Sequence, residues 1–396
     1  MTIREKIKNR AEFLQLDMVN FLREIIAIPS TSGKEKEVVE RIKQEMEKLG
    51  YDKVWIDPMG NLIGRIGVGN RIIAIDGHCD VVNVGNLDTW KVDPFKGDLK
   101  NGVIYGRGAS DQKGGLAAAV YAGKILKDMV LPADIAVVVV ASVLEETLEG
   151  ASWQYLINEE KIRPEAVLLT EPTNLAINIG QRGRMEMKIK TDGVSCHGSA
   201  PERGENAIYK MASILQDVEK LNNDLKSQSI LGKGTVTVTD ICSDTPSLCA
   251  VSDSCTIHLD RRLSEGETIE TSIAEIENLP SVKATAAKVI IPDYKAECYT
   301  GLEYPVKAYY PMWLMDENHK LVQKAKVAYT DQFGKETGTG VWVFSTNGVA
   351  TKGLYDIPSI GFGPGEEIHA HTPTDQVRIK DLLTAVEFYV SFVLHI

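Results

Sequence analysis

At 396 residues the chain is long enough for two domains and a sizeable buried core. A net charge of −11, with no cluster of lysine and arginine interleaved with aromatics, argues against nucleic acid as a partner, and the apolar runs are far too short to cross a bilayer. The six cysteines form no C-x-x-C pair, and Met1 to Arg10 lacks the apolar block of a secretory signal, so reduced thiols and a cytoplasmic location are expected.

Two amphipathic helices are predicted to open the chain. The first runs from about Ile3 to Ile28, as one helix or as two pieces. The second follows Ser32, with Ser32 and Glu35 as a capping box; Val39, Ile42, Met46 and Leu49 share its apolar face and Gly50 stops it. Short β-like runs come next at Lys53 to Ile56, Leu62 to Ile66 and Arg71 to Ile75. A glycine-rich loop region leads into a small-residue helix from about Gly114 to Lys127, then into buried strands at Ile135 to Val143 and Ala166 to Leu169. Strands alternating with helices predict an α/β fold with a central, mostly parallel sheet.

After about Arg184 the texture changes. Met185 to Lys190 and Cys255 to Leu259 alternate in hydrophobicity, Thr235 to Thr239 is β-branched, and a helix lies near Asn206 to Leu221. This reads as a smaller α+β unit, residues 184–305, inserted into a discontinuous first domain of residues 1–183 and 306–396. The last part carries a helix near His319 and an apolar helix from Asp381 to Leu394.

Residues able to hold a metal stand where apolar strands stop. His78 ends one strand, and Asp80, two residues on, is placed to take the second N–H of that imidazole; an ordinary loop histidine is the alternative. Asp111 closes the glycine-dense run from Tyr105. That run does not meet G-x-G-x-x-G, and an acid at its end would repel phosphate, which leaves a metal-facing aspartate or a plain helix N-cap. Glu145 and Glu146 follow a buried strand, so one acid can bind a metal while the other takes a proton from water; a solvated acidic loop is the alternative. Glu171 ends another buried strand. His369 and His371 lie in a late Gly/Pro loop, and either could complete the shell. This mixed nitrogen and oxygen set suits two divalent ions, zinc first, with cobalt or manganese as alternatives.

Five ordered blocks of the chain resemble the M20 family of metallopeptidases and deacylases. They are His78-Cys-Asp80-Val-Val; Trp90 with Asp93-Pro-Phe and the run from Gly102 through Asp111-Gln-Lys-Gly-Gly; Glu145-Glu146; Thr170-Glu171-Pro; and Ala370-His371-Thr-Pro-Thr-Asp375. The likeness spans nearly the whole chain and is closest in type to acetylornithine deacetylase and succinyl-diaminopimelate desuccinylase, with some similarity to a branch of selenium-metabolism-linked hydrolases. It implies that Asp111 bridges two metals, with His78 and Glu171 on one and Glu146 and His371 on the other, and that Glu145 is the general base. His371 rather than His369 matches the family's Ala-His-x-Pro block. Position 375 is Asp where many members have Glu, a departure expected to leave the metal set intact.

The middle unit resembles the family's lid and dimerisation domain through Cys196-His197-Gly-Ser-Ala-Pro-Glu-Arg-Gly-Glu-Asn206-Ala. The resemblance implies a homodimer in which His197 reaches into the partner's site and stabilises an oxyanion. It also implies substrate contacts at Arg262, apt for a carboxylate, and at Asn206 and Asn347. The expected substrate is a small N-acyl amino acid; a dipeptide is the runner-up, and a non-catalytic metal-binding scaffold is the reading from another class. Cys79, beside His78, is expected to be a packing residue rather than a nucleophile.

Overall fold

The computed structural model describes residues 1–129, 131–226 and 230–396. Helix α1 (Ile3–Ile26) is unbroken: a capping box between Thr2 and Glu5 closes its start, and Leu14, Met18, Leu22 and Ile25 share its buried face. Helix α2 (Lys36–Lys48) buries Val39, Ile42 and Met46, and Gly50 follows its end with φ 79°. The expected Ser32–Glu35 capping box does not form. Glu35 occupies the N-cap position without capping, its side chain is buried, and Ser32 Oγ donates to Asp80 Oδ2 at 2.7 Å. Both side chains serve a tertiary site rather than the local helix end.

Strands β1 (Lys53–Ile56), β2 (Leu62–Ile66) and β3 (Arg71–His78) come next, then α3 (Lys113–Met129), β4 (Ile135–Ser142), β5 (Ala166–Leu169) and β6 (Ile177–Gln181). A second group holds β7 (Gly183–Asp192), α4 (Ala207–Asp224), β8 (Thr235–Asp244), β9 (Ser254–Leu263) and β10 (Lys288–Ile290). The chain closes with α5 (Lys320–Phe333), β11 (Ser359–Gly361) and α6 (Ile379–His395).

The larger sheet has the order β1-β2-β4-β3-β5-β11-β6. Its centre is parallel, with β4, β3, β5 and β11 running together, and at the far edge Thr339–Trp342 also runs parallel to β6; β1 pairs with β2, β2 with β4, and β11 with β6 in antiparallel fashion. The sheet is thus mixed, and its parallel part coincides with β4 and β5, which are buried along their whole length. Register aligns the strand ends. His78 lies opposite Ser142 and Asp76 opposite Leu169, so β3, β4 and β5 end at one level and the residues after them converge on one edge. Helices α1, α3 and α6 pack together over this sheet.

The smaller sheet, β8-β9-β7-β10, is antiparallel, and β9 alternates buried with half-buried residues along its length. It has its own core of Met185, Met187, Ile189, Met211, Ile257 and Leu259. Tyr294, Tyr299, Leu302 and Tyr304 pack instead against the larger core. By core membership the hairpin of residues 293–307 belongs with the larger body, although the sequence reading places most of it in the insertion. Among the described residues no helix is long and apolar enough to cross a membrane.

Helix α3 approaches the end of β5 closely enough that a Cβ at Gly115 would lie 2.2 Å from the Thr170 carbonyl oxygen. Backbone on both sides cannot yield without moving the Asp111 loop. Gly115→Ala is therefore expected to lower stability by about 1–3 kcal/mol, seen as a lower denaturant midpoint at unchanged slope.

Candidate active site

His78 is buried at the end of β3, with Nδ1 2.9 Å from the backbone carbonyl oxygen of Asp80. A carbonyl only accepts, so Nδ1 carries the hydrogen and Nε2 is left for the cavity. Nε2 lies 3.1 Å from Asp111 Oδ1, 3.8 Å from Glu171 Oε1 and 3.9 Å from Glu145 Oε2. The partner role expected of the Asp80 side chain falls to its main chain; Asp80 Oδ1 is 3.5 Å from the same nitrogen.

The Asp80 carboxylate does different work. Oδ1 accepts from the Glu145 N–H at 3.2 Å, and Oδ2 from the Glu146 N–H at 3.1 Å. Glu35 Oε1 accepts from the Leu144 N–H at 3.2 Å, and Asn61 Oδ1 from the Val143 N–H at 3.1 Å. Asn61 is itself held by Asp57. Four successive amides after β4 are thus gripped by buried side chains, and Leu144 is pulled into left-handed backbone with φ 58°. This grip turns both acids of the pair toward His78.

Asp111 is carried by a loop that Asp375 anchors. Both Asp375 oxygens are used, accepting from Gly108 N and Ser110 N at 2.7 Å each and from Arg107 Nη1 at 3.1 Å. Asp111 does not cap α3: its carboxylate faces His78 and, through Oδ2 at 3.3 Å, His371. His371 Nε2 is also 2.9 Å from Glu146 Oε2. His369 turns away, to Thr374 and Gln376. Two groups of ligand atoms lie within 4.8 Å of one another: His78 with Glu145 and Glu171, and His78 with Asp111 and Glu146.

Burial pushes the Glu145 and Glu171 carboxyls well above their ordinary range and raises Glu146 too. Burial opposes charge on His78, yet Glu171, Asp111, Asp80 and Glu145 outweigh it and raise that imidazole. His371 rises to about 10 through its hydrogen bonds to Asp111 and Glu146. Glu145 Oε1 and Glu146 Oε1 are buried and have no hydrogen-bond partner among the described residues. Orphaned carboxylate oxygens around a histidine lone pair are costly alone and fit divalent cations well.

The cluster opens on a cavity of about 210 Å³ that is also lined by Glu149, Arg184, Arg262, Phe344 and Ser345. Arg262, expected to meet substrate, is there, held by Asp260 through Nε at 2.8 Å and Nη2 at 3.1 Å. Asn347 is not on the wall. It is buried, with its amide committed to Gly150 N, Asp76 and Ser142, so it braces the strand ends, and the expected substrate contact is replaced by a structural one. Asn206 caps α4 through Ile208 N and Tyr209 N and does not line the cavity. His197 is exposed in the smaller unit, away from the cavity lining; its Nδ1 accepts from Ser199 N at 3.1 Å, which leaves Nε2–H as a free donor. Cys79 is fully buried, and burial drives its thiol pKa well up, so it packs.

Sequence reasoning passes over Asn61, Asp57, Glu149 and Arg184, and it reads Glu35 as a helix cap. Glu149, four residues after Glu145, carries no signal beyond closeness to the Glu-Glu pair.

An α/β sheet with a histidine–carboxylate cluster at its parallel strand ends, facing a cavity walled by a second unit, defines a metal-dependent class of hydrolytic site. The model of peptidase family M20/M25/M40 matches residues 74–395, and the chain belongs to that family, a family of hydrolases. It is 49% identical over 385 residues to the "Uncharacterized protein YgeY" of Escherichia coli strain K12, covering 97% of this chain and 96% of that one. It is 24% identical over 405 residues to a "Probable succinyl-diaminopimelate desuccinylase" of Staphylococcus epidermidis strain RP62A, covering 94% and 96%. Among solved structures, aminopeptidase PepT of Bacillus cereus shares the fold with a TM-score of 0.72 at 20% identity, covering 96% of this chain and 98% of that one.

Asp80→Asn keeps one acceptor oxygen but turns an amide against an N–H, and is expected to weaken metal affinity about 10–100-fold in a chelator competition. Because neighbouring carboxylates raise His78, and burial with neighbouring charge raises Glu145, Glu146 and Glu171, the metal-free site holds protons that a cation must displace. Zinc binding is therefore expected to release protons and to tighten as pH rises through neutrality; calorimetry in two buffers of different ionisation enthalpy reads the release, and identical heats would contradict it.

Proposed function

We propose that the protein hydrolyses the amide bond of a small N-acyl amino acid, with Glu145 as general base. The observation that carries this reading is the free, buried Oε1 of Glu145, held beside the ligand cluster by a gripped turn. We assign His78, Asp111 and Glu171 to one divalent ion and Asp111, Glu146 and His371 to a second, with zinc the first choice and cobalt or manganese as alternatives. When bound, such ions supply Lewis acidity, making the scissile carbonyl more electrophilic and water more acidic.

The chain's own groups do the rest. Glu145 takes a proton from the attacking water and returns it to the leaving nitrogen. Asp80 and Glu35 fix its backbone, and Asn347 braces the strands below. His197 of a second copy supplies an N–H to the developing oxyanion, for which its free Nε2 donor is apt. This requires a homodimer through the smaller unit, residues 184–305 in the expected division. The cavity's size favours a small substrate, and the Staphylococcus epidermidis relative's name supports deacylation. The shared fold with an aminopeptidase keeps a small peptide as the second reading.

The test is a panel of N-acetyl, N-succinyl and N-carbamoyl amino acids and dipeptides, assayed with zinc, cobalt or manganese. Turnover is expected to need metal and to fall at least about 100-fold in Glu145→Ala, whose metal content stays near that of wild type. Activity that survives both chelation and that substitution would sink the reading. A fully active monomer by light scattering would remove His197 from it.

A further inference from the structure

Four of the five ligands assigned above stand at strand ends or in anchored loops. His78 ends β3, Glu146 lies in the gripped turn after β4, Glu171 follows β5, and Asp111 is carried by the loop that Asp375 anchors. His371 differs. Its side chain is 55% exposed, and its backbone is left-handed at φ 59°, an uncommon conformation for a residue with a Cβ. The stretch around it, residues 367–374, bonds mainly to itself. Thr372 Oγ1 donates to the His369 carbonyl oxygen at 3.0 Å, Thr374 N donates to Thr372 Oγ1 at 3.2 Å, and the nearby Gln376 holds His369.

Apart from the contacts of the His371 imidazole with Asp111 and Glu146, one distant side chain ties this stretch down. Among the described residues, only Arg107 reaches it from elsewhere in the chain. Its Nη1 donates to the carbonyl oxygen of Thr372, the residue after His371, at 3.3 Å and to Asp375 Oδ2 at 3.1 Å. The guanidinium lies 5.0 Å from the centre of the Trp90 ring, and the residue is 2% exposed. A flat fork packed on an aromatic face is fixed in a way that a flexible ammonium is not. Arg107 also precedes Asp111 by four residues on the same loop, so one guanidinium joins the backbone beside His371 to the loop that carries Asp111. A buried ion pair regains little of the hydration it loses, which leaves the fixing of geometry as the gain from this one.

We infer that Arg107 is a positioning residue for the second metal ion: by holding the Thr372 carbonyl it keeps His371 turned toward Asp111 and Glu146. Removing it therefore weakens the ion on His371 and spares the ion on His78 and Glu171. This rests on the two-ion assignment of the same site. Arg107 does not line the cavity, so it acts through His371 rather than on a substrate.

The experiment measures zinc binding by competition with a chromophoric chelator, for wild type, Arg107→Met, Arg107→Lys, His371→Ala and the double variant Arg107→Met with His371→Ala. Arg107→Met is expected to weaken one of two zinc sites about 10–100-fold, the range for a residue that orients a ligand. The other site is expected to stay within about three-fold of wild type. Arg107→Lys keeps a single donor and is expected to lose less than the methionine variant. Because Arg107 works through His371, the double variant is expected to bind zinc within about three-fold of His371→Ala alone. A general loss of packing would instead weaken both sites and would add to the effect of His371→Ala. Equal weakening of both sites, a lysine variant no better than methionine, or additive losses in the double variant would overturn the inference. Should Arg107→Met fail to fold by circular dichroism, Arg107→Lys takes its place in the same cycle. His371→Ala that leaves both zinc affinities at wild-type values would overturn the two-ion assignment beneath; His371→Ala that weakens one site, with Arg107→Met weakening neither, would overturn this inference alone.

Discussion

Everything in this structure depends on holding like charges together out of water. Asp80, Asp111, Glu145, Glu146 and Glu171 converge at one edge of a buried sheet, where their mutual repulsion and lost hydration would expel them. The fold offsets this only in part. Backbone amides and imidazoles take up Asp80 and Asp111, while one oxygen each on Glu145 and Glu146 is left unmatched. That remainder of unsatisfied charge is what suits the place to cations.

Such an arrangement needs strands that end together. The level register of β3, β4 and β5 brings His78, the acid pair and Glu171 to the same height, and the close approach of α3 brings Asp111 in from the side. Around them stands a less visible scaffold in which Glu35, Asn61, Asp57, Asp375 and Asn347 mostly bind backbone N–H groups rather than anything in the cavity. Rigid support of this kind keeps a general base within reach of its proton. The substrate-facing wall, by contrast, draws Arg184 and Arg262 from the smaller sheet. The cavity is therefore lined from both bodies, the histidine–carboxylate cluster from the larger and two guanidinium groups from the smaller.

Much of this is legible in the chain as written. Apolar runs that stop at a histidine or an acid mark β3, β4 and β5 and the residues beyond them, because a buried strand must be hydrophobic and its end is where polar groups can first appear. Helix faces are legible for the same reason, and the family blocks add the choice of His371 over His369. The amphipathic alternation of β9 marks a sheet with one covered face.

Tertiary structure alone decided the rest. Ser32 and Glu35 have the spacing of a cap, and only contact with Asp80 and Leu144, far away in sequence, turns them inward. Asn347 sits in a loop that resembles a substrate loop, yet three long-range hydrogen bonds bury it. The mixed direction of the large sheet, and the hairpin that rejoins the larger core, likewise depend on pairing between distant segments. Periodicity and motif spacing report the local free energy of a segment; which polar group meets which across hundreds of residues is a property of the packed chain.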